Sequence, residues 1–533
     1  YPGSATTSTG VMAQRLRVYV TNATGINAAG LPLIALRRLS LDACDYPRSS
    51  VTAGTQLSYA AASTPTVETV SPTRGSTAGG TALTLAVSNL PSGLGPSDLS
   101  ASIAGIVCAV SSVAYDGSGG ATVGCTSGAH GRTTSTSTGV GAVELTVAAT
   151  VGTSVATANG TFTYIDLWSR ATTWGGDSTN MPIEGDSVWI QPGQRILLDT
   201  SPPKLYMLIV QGDLIFDAQD LTLDASYIFV MGGSFVVGTE TEPFTHKATI
   251  TLHGSPNSKE LPLYGAKVLG CRACTLDLHG RPSLDDRTHT KLAATVQPGN
   301  ATLLLTEAVD WPINSFAVVT STAANGTMEE AETVVIIGVH NGGYRLELAT
   351  PLLYRHLGET RSLDGGHSVD FRANVGLISH NVVVQGSTPF SQLDRFGAHV
   401  LVHSKGDESL TARLENTEFR FMGQGFRLGR YPIHFHMIGT VRNSYVRYNS
   451  VHHTYNRAVA IHGVHYLRVK GNVAFENMGN AYFVEDGIET KNIITHNLGV
   501  NTRQSFAGLT VDQTPATYWL VNGDNYVASN IAA

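Results

Sequence analysis

A short apolar strand recurs at a fixed spacing near the C-terminal end of the sequence, and this repeat restricts the fold more than any other feature. The segment around His462 returns 23 residues later around Glu485, and Asn449 returns as Asn472. An apolar strand of this period with an Asn beside each turn is typical of a parallel β-helix, in which each repeat forms one coil. Equivalent positions on successive coils stack about 4.8 Å apart. The repeat therefore predicts that His462 and Glu485 lie one above the other.

A third segment, Gly429–His436, shares this pattern. Its His436 precedes His462 by 26 residues, so it joins the same column if its coil has a longer turn. In a strand, residues i and i+2 point to the same side. His434 and His436 are therefore predicted to share one face, with Phe435 on the other. Two histidines at this spacing are a common pair of metal ligands.

The side chains of the column indicate an acidic-glycan site. Arginine binds uronate carboxylates, while His with Glu or Asp transfers protons or holds a metal ion. The predicted catalytic residues are His436, His462 and Glu485; the predicted glycan-binding residues are Asp486 and, at the rim of the groove, Arg430 and Arg457; the predicted ligands of a calcium or zinc ion are His434 and His436. The alternative is structural, because a buried His–Glu pair between coils satisfies its own hydrogen bonds.

Other polar residues near the repeat receive a structural interpretation. Asn449, Asn472 and Asn497 are predicted to form a ladder that hydrogen-bonds the turn backbone. The pair His452 and His453 reads as surface histidines near a turn that can also reach the groove. His399 and His403 alternate in the same sense as the later pair and offer a further metal option. Four charges embedded in apolar strands are expected to cap turns, with a calcium or glycan contact as the alternative: Asp186, Arg195, Asp199 and Asp213.

Composition excludes several classes of function. Only 14% of the 533 residues are charged, the net charge is -7, and no Lys/Arg-rich run occurs, which argues against a nucleic-acid partner. No apolar stretch approaches the roughly 20 residues that cross a bilayer. The chain begins at Tyr1 without Met or a leader sequence. We therefore expect a piece of a longer, processed protein whose membrane attachment lies in segments outside this chain.

The cysteines and sequons indicate the secretory pathway. Cys108 and Cys125 lie in alternating segments on either side of a Gly-rich turn, which suits a disulfide across a hairpin. Four acceptor sequons predict glycosylation at Asn22, Asn159, Asn300 and Asn325. Cys271 and Cys274 are interpreted as a local disulfide or two structural thiols, with half of a zinc site as the alternative.

Residues 64–165 form a unit of short strands with Gly/Pro turns, which predicts a β-sandwich. Its opening, Ser71–Thr81, its Cys pair and its closing Phe162–Tyr164 resemble the immunoglobulin-like IPT/TIG domain. Residues 1–63 are β-rich and are predicted to end a preceding domain, itself a candidate IPT/TIG copy.

Residues 166–290 contain short strands separated by glycines, and they resemble the G-eight domain. The segments that resemble it are Gly185–Ile190, Leu208–Phe216, Gly232–Glu240, Ile250–Gly254 and Leu276–Gly280. This unit provides, in one interpretation, the first coils of the solenoid, and residues 291–533 are predicted to be the parallel β-helix, continuing beyond the chain. The order of domains is similar to that of fibrocystin-like proteins, and the later part is similar to the hyaluronan-binding cell-migration-inducing protein and transmembrane hyaluronidase family.

The resemblance implies an all-β chain: an IPT/TIG sandwich, a G-eight domain and a right-handed parallel β-helix. It further implies an extracellular or cell-surface location, including the ciliary surface, and a structural, adhesive or receptor module. The partners would be glycans or other surface and matrix proteins.

An enzymatic hypothesis stands beside this one. The sequence has no G-x-S-x-G elbow, Walker loop or H-E-x-x-H motif. Any catalysis would be cleavage of a hyaluronan-type polysaccharide by the His436–His462–Glu485 column.

Overall fold

The computed structural model describes residues 16–20, 36–41, 65–77, 79–117, 119–130, 140–149, 152–156, 161–406, 409–505 and 514–533. The chain divides into two compact units, residues 1–166 and 167–533. Each unit is built almost entirely of strands, so the predicted all-β class is confirmed.

The first unit contains an antiparallel pair and a nine-stranded sheet. Its strands are β1 Leu16–Val20, β2 Leu36–Leu41, β3 Thr66–Ser71, β4 Arg74–Gly75, β5 Ala82–Ser88, β6 Leu99–Ile103, β7 Ile106–Tyr115, β8 Gly120–Ser127, β9 Val140–Ala149, β10 Gly152–Ala156 and β11 Thr161–Tyr164. Buried and exposed residues alternate along β5 and β8, which is the pattern of a sheet with one face on a core. Leu85, Val123 and Phe162 pack in that core. A disulfide joins Cys108 on β7 to Cys125 on β8.

The second unit is a parallel β-helix with an antiparallel insertion. Its strands are β12 Asp166–Leu167, β13 Ser187–Ile190, β14 Arg195–Leu198, β15 Leu205–Val210, β16 Asp213–Phe216, β17 Leu221–Met231, β18 Ser234–Val237, β19 Ala248–Leu252, β20 Val268–Arg272, β21 Thr275–His279, β22 His289–Lys291, β23 Thr302–Leu304, β24 Phe316–Val319, β25 Glu332–His340, β26 Arg345–Leu348, β27 Thr360–Ser362, β28 Ser368–Asp370, β29 Asn374–Leu377, β30 Val382–Gly386, β31 His399–His403, β32 Thr411–Glu415, β33 Thr417–Arg420, β34 Ile433–Thr440, β35 Tyr445–Arg447, β36 Ser450–Thr454, β37 Val459–His465, β38 Arg468–Lys470, β39 Val473–Asn477, β40 Tyr482–Val484, β41 Ile493–Thr495, β42 Leu498–Val500, β43 Tyr518–Trp519, β44 Tyr526–Ala528 and β45 Ile531–Ala532.

Two long sheets run the length of the β-helix, one of ten strands and one of 16. Their strands pair in parallel from β13 to β45, because each coil lays its strands on those of the coil before it. Apolar residues on successive coils stack into one continuous core, for example Val402, Phe435 and Ile461. Parallel coils already begin at β13, within the glycine-rich segment, as the first-coils interpretation expected.

The insertion differs from the sequence prediction. Residues 289–377, which lie in the segment predicted to be parallel β-helix, instead contribute a six-stranded antiparallel sheet, β22-β29-β24-β25-β26-β23, and a hairpin, β27–β28. This sheet has a hydrophobic core of its own around Trp311, Leu346 and Val375. The β-helix tolerates it because parallel pairing needs only that the flanking strands match: β19 pairs with β30, and β21 with β32, across the insertion. The insertion lies between β21 and β30, so it interrupts the β-helix at a single turn.

A ladder of asparagines supports one turn of the β-helix. The Oδ1 atom of Asn472 accepts hydrogen bonds from the backbone N–H and the side-chain amide of Asn449, both at 3.0 Å. The same contacts recur from Asn472 to Asn497 and from Asn497 to Asn530. The predicted ladder is therefore present, extended by one coil through Asn530.

The remaining α-helix and 3₁₀ turns are short. The α-helix is α1, Phe390–Leu393, and the 3₁₀ turns are Pro96–Asp98, Ala171–Trp174, Ser178–Asn180, Leu284–Asp286 and Asn341–Gly343. Among the described residues, no helix has the length and apolar character needed to cross a membrane.

Candidate metal and glycan site

Four neighbouring strands of the larger sheet place the histidine column. His403 on β31 pairs with His436 on β34, and His436 pairs with His462 on β37. The register continues from Ile461 to Val484 on β40, which places Glu485 beside His462 on the next coil. The stacking predicted from the repeat is therefore observed, and His436 belongs to the same column.

Three imidazoles converge at this point. The Nδ1 atoms of His436 and His462 lie 3.0 Å apart, and the ring centroids of His434 and His436 are 4.9 Å apart. The ring of His434 stacks on that of His462 with centroids 5.7 Å apart. One ligand nitrogen from each of His434, His436 and His462 lies within 4.8 Å of the other two.

His434 is the buried member of the cluster, with 2% of its surface exposed. Its Nδ1–H donates to the backbone carbonyl of Gly429 at 2.9 Å, so the lone pair is on Nε2. That Nε2 atom is buried and has no hydrogen-bond partner in the described part of the chain. Because buried polar atoms are normally paired, an unpaired imidazole nitrogen facing two other imidazoles is an observation that a bound cation would explain.

Two of the three histidines have the outer partner that metal-ligating histidines usually have. Besides the Gly429 carbonyl behind His434, the carboxylate of Asp486 lies 2.9 Å from Nε2 of His462. An acceptor on the outer nitrogen fixes the ring and leaves the inner nitrogen free to bind a metal. Asp486, predicted to contact glycan, therefore has an orienting contact with His462.

The local environment keeps the rings of His434 and His436 neutral. Burial, and next the neighbouring His436, hold the pKa of His434 well below its usual value. Burial, followed by the neighbouring His462 and His403, lowers the pKa of His436 to about 4. Neutral imidazole is the form that binds a metal, so these two rings need no deprotonation step near neutral pH.

Glu485 lies at the end of the column, in a mixed environment. Its Oε2 atom is 3.6 Å from Nδ1 of His462, and its Oε1 atom accepts a hydrogen bond from the Tyr431 hydroxyl at 3.4 Å. Burial raises the pKa of Glu485, and the charges of His462 and Arg457 oppose that shift. A carboxyl group with a raised pKa beside an imidazole is suited to proton exchange with it.

The position of Arg457 differs from the sequence prediction. Arg457 was expected at the rim of the groove, but it is 2% exposed. Its guanidinium donates to the Tyr431 hydroxyl at 2.8 Å, lies 3.7 Å from Glu485 and stacks on Phe483 at 3.8 Å. A long cation buried against aromatic rings orders the wall behind the column, so Arg457 supports Glu485 and does not meet a ligand from solvent.

Arg430, unlike Arg457, lies close to the rim of the groove, as predicted from the sequence. It lines a cavity of about 190 Å³ together with the histidines and Glu485, and its Nη1 donates to the carbonyl of Leu263 at 3.0 Å. Glu260 lies 3.7 Å from its Nη2. The remaining walls of the cavity are apolar or glycine: Leu263, Leu401, Leu428 and Gly429. The cavity has room for only a small chemical group, so a polymeric ligand would have to extend along the surface outside it.

Two residues that sequence reasoning did not assign complete the site. Arg272, at the end of β20, pairs with His403 and so continues the column by one coil beyond the histidines. Glu489 is fully buried and accepts the backbone N–H groups of Gly463, Asp486 and Gly487, which fixes the turn that carries the carboxylates. Sequence reasoning missed Arg272 because the 23-residue period does not extend to its coil. Only the register of β20 places Arg272 in the column.

The other predicted polar residues lie elsewhere. His452 and His453 contact each other and the carboxylates of Glu418 and Glu476, on a different strand column from His436. His399 is buried and hydrogen-bonded to the Tyr264 carbonyl at 2.8 Å.

The charges of the glycine-rich segment are held within it. Asp186 and Asp199 accept backbone N–H groups from Ile183 and Ser169, and Arg195 pairs with Asp213 at 3.1 Å. The turn-capping interpretation accounts for these contacts.

The remaining cysteine and sequon predictions concern other surfaces. Cys271 on β20 and Cys274 in the turn before β21 form a local disulfide. Asn300 and Asn325 are exposed, while Asn22 and Asn159 lie outside the described residues. Glycosylation at all four stays a prediction.

The donor set fits a divalent transition metal better than calcium. Three neutral imidazoles suit zinc, copper or nickel, whereas calcium takes six to eight oxygen ligands. In a tetrahedral zinc site the nitrogens lie about 3.3 Å apart. The three nitrogens already lie within 4.8 Å, so modest rotations of His436 and His462 would bring them to that geometry. Three histidines leave the fourth position open to water or to a ligand oxygen.

Comparisons with known proteins agree with the architecture. Three family models match this chain: the IPT/TIG domain at residues 65–164, the G8 domain at 173–293 and the CEMIP beta-helix at 395–533. Fibrocystin-L of Homo sapiens is 39% identical over 520 residues, covering 90% of this chain and 12% of that protein. Fibrocystin-L of Mus musculus is 40% identical, covering 70% of this chain and 10% of that protein. Fibrocystin of Mus musculus is 31% identical, with 61% and 8% covered. The chain therefore spans about a tenth of the length of these relatives.

Proposed function

We propose, from the premise that this chain is fibrocystin-like along most of its length, that it is an extracellular binding module whose β-helix holds a divalent metal ion. The ion would be bound by His434, His436 and His462 and would take an acidic group of a glycan at its open position. The wider role is that of an adhesive or receptor segment of a cell-surface glycoprotein, including one at a cilium.

One observation carries the proposal: the unpaired, buried Nε2 atom of His434 faces two other imidazoles whose ligand nitrogens lie within 4.8 Å. A structural ladder would pair this atom, as the asparagine ladder of the same β-helix pairs its side-chain amides. The hydrogen bonds from His434 to Gly429 and from His462 to Asp486 hold the rings in the orientation that ligation needs.

Two further observations support the location and the ligand. The disulfides Cys108–Cys125 and Cys271–Cys274 are stable in an oxidising compartment. A carboxylate or sulfate oxygen is a suitable fourth ligand for a site with three neutral nitrogens, since it offsets the charge of the ion. The half-exposed His403 and Arg272 continue the column along the surface and offer a path for an acidic chain.

The direct test is metal binding by the purified chain. Calorimetric titration with zinc should give one site, and metal analysis after dialysis should find one ion per chain. His436→Ala/His462→Ala should abolish both signals. His452→Ala/His453→Ala is the matched control, because it also removes two adjacent imidazoles but leaves the cluster intact. A wild-type chain that binds no zinc, copper or nickel would overturn the proposal.

The ligand is tested separately on the metal-loaded chain. Binding of an acidic polysaccharide such as hyaluronan should require the metal and should be lost with chelator. Binding that persists in the double variant would move the glycan site away from the histidines, even if metal binding stands.

A second candidate function is cleavage of an acidic polysaccharide. Two features favour it. Glu485, whose pKa is raised, lies next to His462 and can act as a proton donor or acceptor, and the proposed metal would have an open coordination position. Chain-length analysis of hyaluronan after incubation would test it. Shortening that depends on metal and is lost in Glu485→Gln, which keeps the size of the side chain, would establish an enzyme. Unchanged chain length from a metal-loaded chain would leave a binding module.

A further inference from the structure

A cleft on another face of the second unit has the features of a separate binding site. It lies between the antiparallel insertion and the turns of the β-helix and has a volume of about 570 Å³. This is within the range of about 300–1,000 Å³ typical of small-molecule sites. Most of the residues that line it are polar or charged, and none of them belongs to the histidine cluster.

A row of left-handed turn residues contributes to the wall on the β-helix side. Tyr448, Gly471, His496 and Ser529 have φ values of 58°, 66°, 55° and 56°, and each directly precedes an asparagine of the ladder. They therefore repeat at the coil spacing, about 4.8 Å. A Cβ atom at Gly471 would lie 2.5 Å from the ring of Tyr448. Glycine at this turn therefore lets the tyrosine ring lie along the wall of the cleft.

The charges of the cleft are mostly compensated by one another. Lys291 and Arg372 both bind Asp370, at 2.6 and 2.8 Å. Arg287 lies 3.5 Å from both Asp285 and Glu307.

Lys470 is different. It is exposed, and its ammonium lies 5.5 Å from the ring of Tyr448. It has no carboxylate partner among the residues that the structure describes. Its ammonium is therefore available to a ligand carboxylate, and His496, which follows its register partner Thr495 on the next coil, lines the same cleft.

A buried acceptor lies in the opposite wall. Asn374, on β29, lines the cleft and is 6% exposed, and its Oδ1 atom has no donor in the described part of the chain. Its backbone N–H and carbonyl are both paired with Thr320, so the residue is fixed in place. A buried amide oxygen without a donor is uncommon and is satisfied when a ligand hydroxyl reaches it.

We propose that this cleft binds a sugar that carries one carboxylate, with the carboxylate at Lys470 and a hydroxyl donating to Oδ1 of Asn374. Lys470 is the cation of the cleft that a ligand carboxylate would meet, because the other cations of the cleft already have carboxylate partners. The amide of Asn374 and the hydroxyl of Ser529 match sugar hydroxyls, which both donate and accept. The site stands independently of the metal cluster.

Matched ligands test the charge requirement. The full chain should bind methyl glucuronide but not methyl glucoside, which differs only in lacking the carboxylate. It should likewise bind sialyllactose in preference to lactose. Saturation-transfer NMR detects each probe, and calorimetry gives its affinity.

Matched variants test the residues. Lys470→Ala should weaken acidic-sugar binding at least tenfold and leave zinc binding at the histidines unchanged. Arg468→Ala is the control, because Arg468 is an exposed cation on the same strand and does not line the cleft. Asn374→Asp should also weaken binding of the acidic sugar, since it places a carboxylate at the acceptor.

Three outcomes would overturn the proposal: equal binding of glucuronide and glucoside, no binding of either acidic probe, or full affinity in Lys470→Ala. Each of them leaves the proposed metal site untouched. Conversely, absence of metal binding at the histidines would not affect this cleft.

Discussion

The β-helix contains two columns of stacked polar side chains, and they obey the same geometry with opposite results. In the asparagine column, Asn472 accepts two hydrogen bonds through Oδ1 and donates to the carbonyl of Val446 at 2.8 Å and to Asn497 at 2.9 Å. In the histidine cluster, which adds His434 to the column of His436 and His462, Nε2 of His434 has no partner in the described part of the chain. Stacking alone therefore does not separate structure from function.

The difference lies in whether the backbone takes part. An asparagine at a turn has an N–H above and a carbonyl below at fixed distances, so its amide closes a repeating hydrogen-bond pattern. The imidazoles of His436 and His462 stand on the open face of a strand, where they contact each other and, in the case of His462, the carboxylates of Glu485 and Asp486. The first column satisfies itself, and the second is complete only with a bound group. The following predictions test this contrast.

Substitution of Asn472 by Ala should have the largest effect on stability. It removes a buried donor and acceptor and leaves the Val446 carbonyl and the Asn449 N–H without partners. Each buried group left unpaired costs about 1–3 kcal/mol, so we expect a loss of about 3 kcal/mol or more in the free energy of unfolding. Chemical denaturation followed by circular dichroism measures it. The exposed Asn257→Ala is the control, and a loss below 1 kcal/mol would show that the ladder is dispensable.

The histidine column should respond in the opposite way. His436→Ala/His462→Ala should change the free energy of unfolding little without metal, because both rings are partly exposed and make no repeating backbone bond. Zinc at 100 times its dissociation constant should stabilise the wild-type chain by about 2.7 kcal/mol and the variant not at all. Thermal unfolding with and without zinc measures this. A variant that unfolds without metal would place the histidines among the structural residues.

Acid should separate the asparagine column from His399, a buried histidine on β31 outside both columns. Burial, followed by the charge of Arg430, lowers the pKa of His399 to about 3 in the folded chain. Below an unfolded-state pKa of about 6.5 the unfolded chain binds the proton and the folded chain does not, so stability falls as the pH falls from about 6.5 towards 3. The loss is about 1.4 kcal/mol per pH unit for such a group.

The control for this pH dependence is His399→Gln. It should reduce the slope between pH 6.5 and 4, whereas Asn472→Ala should lower stability equally at every pH. Denaturation curves collected at several pH values distinguish the two. An unchanged slope in His399→Gln would show that this histidine is not the group that titrates.

Arg272 should give the smallest effect. If an acidic chain follows the histidine column, Arg272→Ala should weaken its binding about tenfold, the loss of one charged hydrogen bond worth about 1.5 kcal/mol. Zinc affinity should not change. Arg272→Lys should recover part of the binding. If Arg272→Ala binds long acidic chains as well as the wild type does, the ligand does not follow the column as far as β20.

Most of what could be predicted about this site from the sequence came from the repeat. A period of 23 residues places His462 over Glu485, and alternation within a strand puts His434 and His436 on one face, because both rules depend only on backbone geometry. The orientation of Arg457 does not follow from such rules. It turns inward because Phe483, Tyr431 and Glu485 surround it on neighbouring coils, which is a tertiary contact.

The insertion was missed for a related reason. Its strands, such as Arg345–Leu348, alternate apolar and polar residues like any half-buried strand, and a single sequence does not say whether the partner runs parallel or antiparallel. The continuity of the β-helix around it appears only in the pairing of β19 with β30.

That pairing has a consequence for how the chain folds. Thr251 and Gln385 are 134 positions apart in sequence, yet they hydrogen-bond across adjacent strands, whereas coils near the histidines close over 23 to 26 residues. A contact between distant segments forms slowly, because the entropy of closing the loop is lost before any contact compensates for it. Because the insertion has a core of its own, we expect it to fold first and to shorten this search by bringing the two ends of the interrupted coil together. The two stretches of the solenoid would then grow towards each other, with the coil at β19 and β30 the last to close.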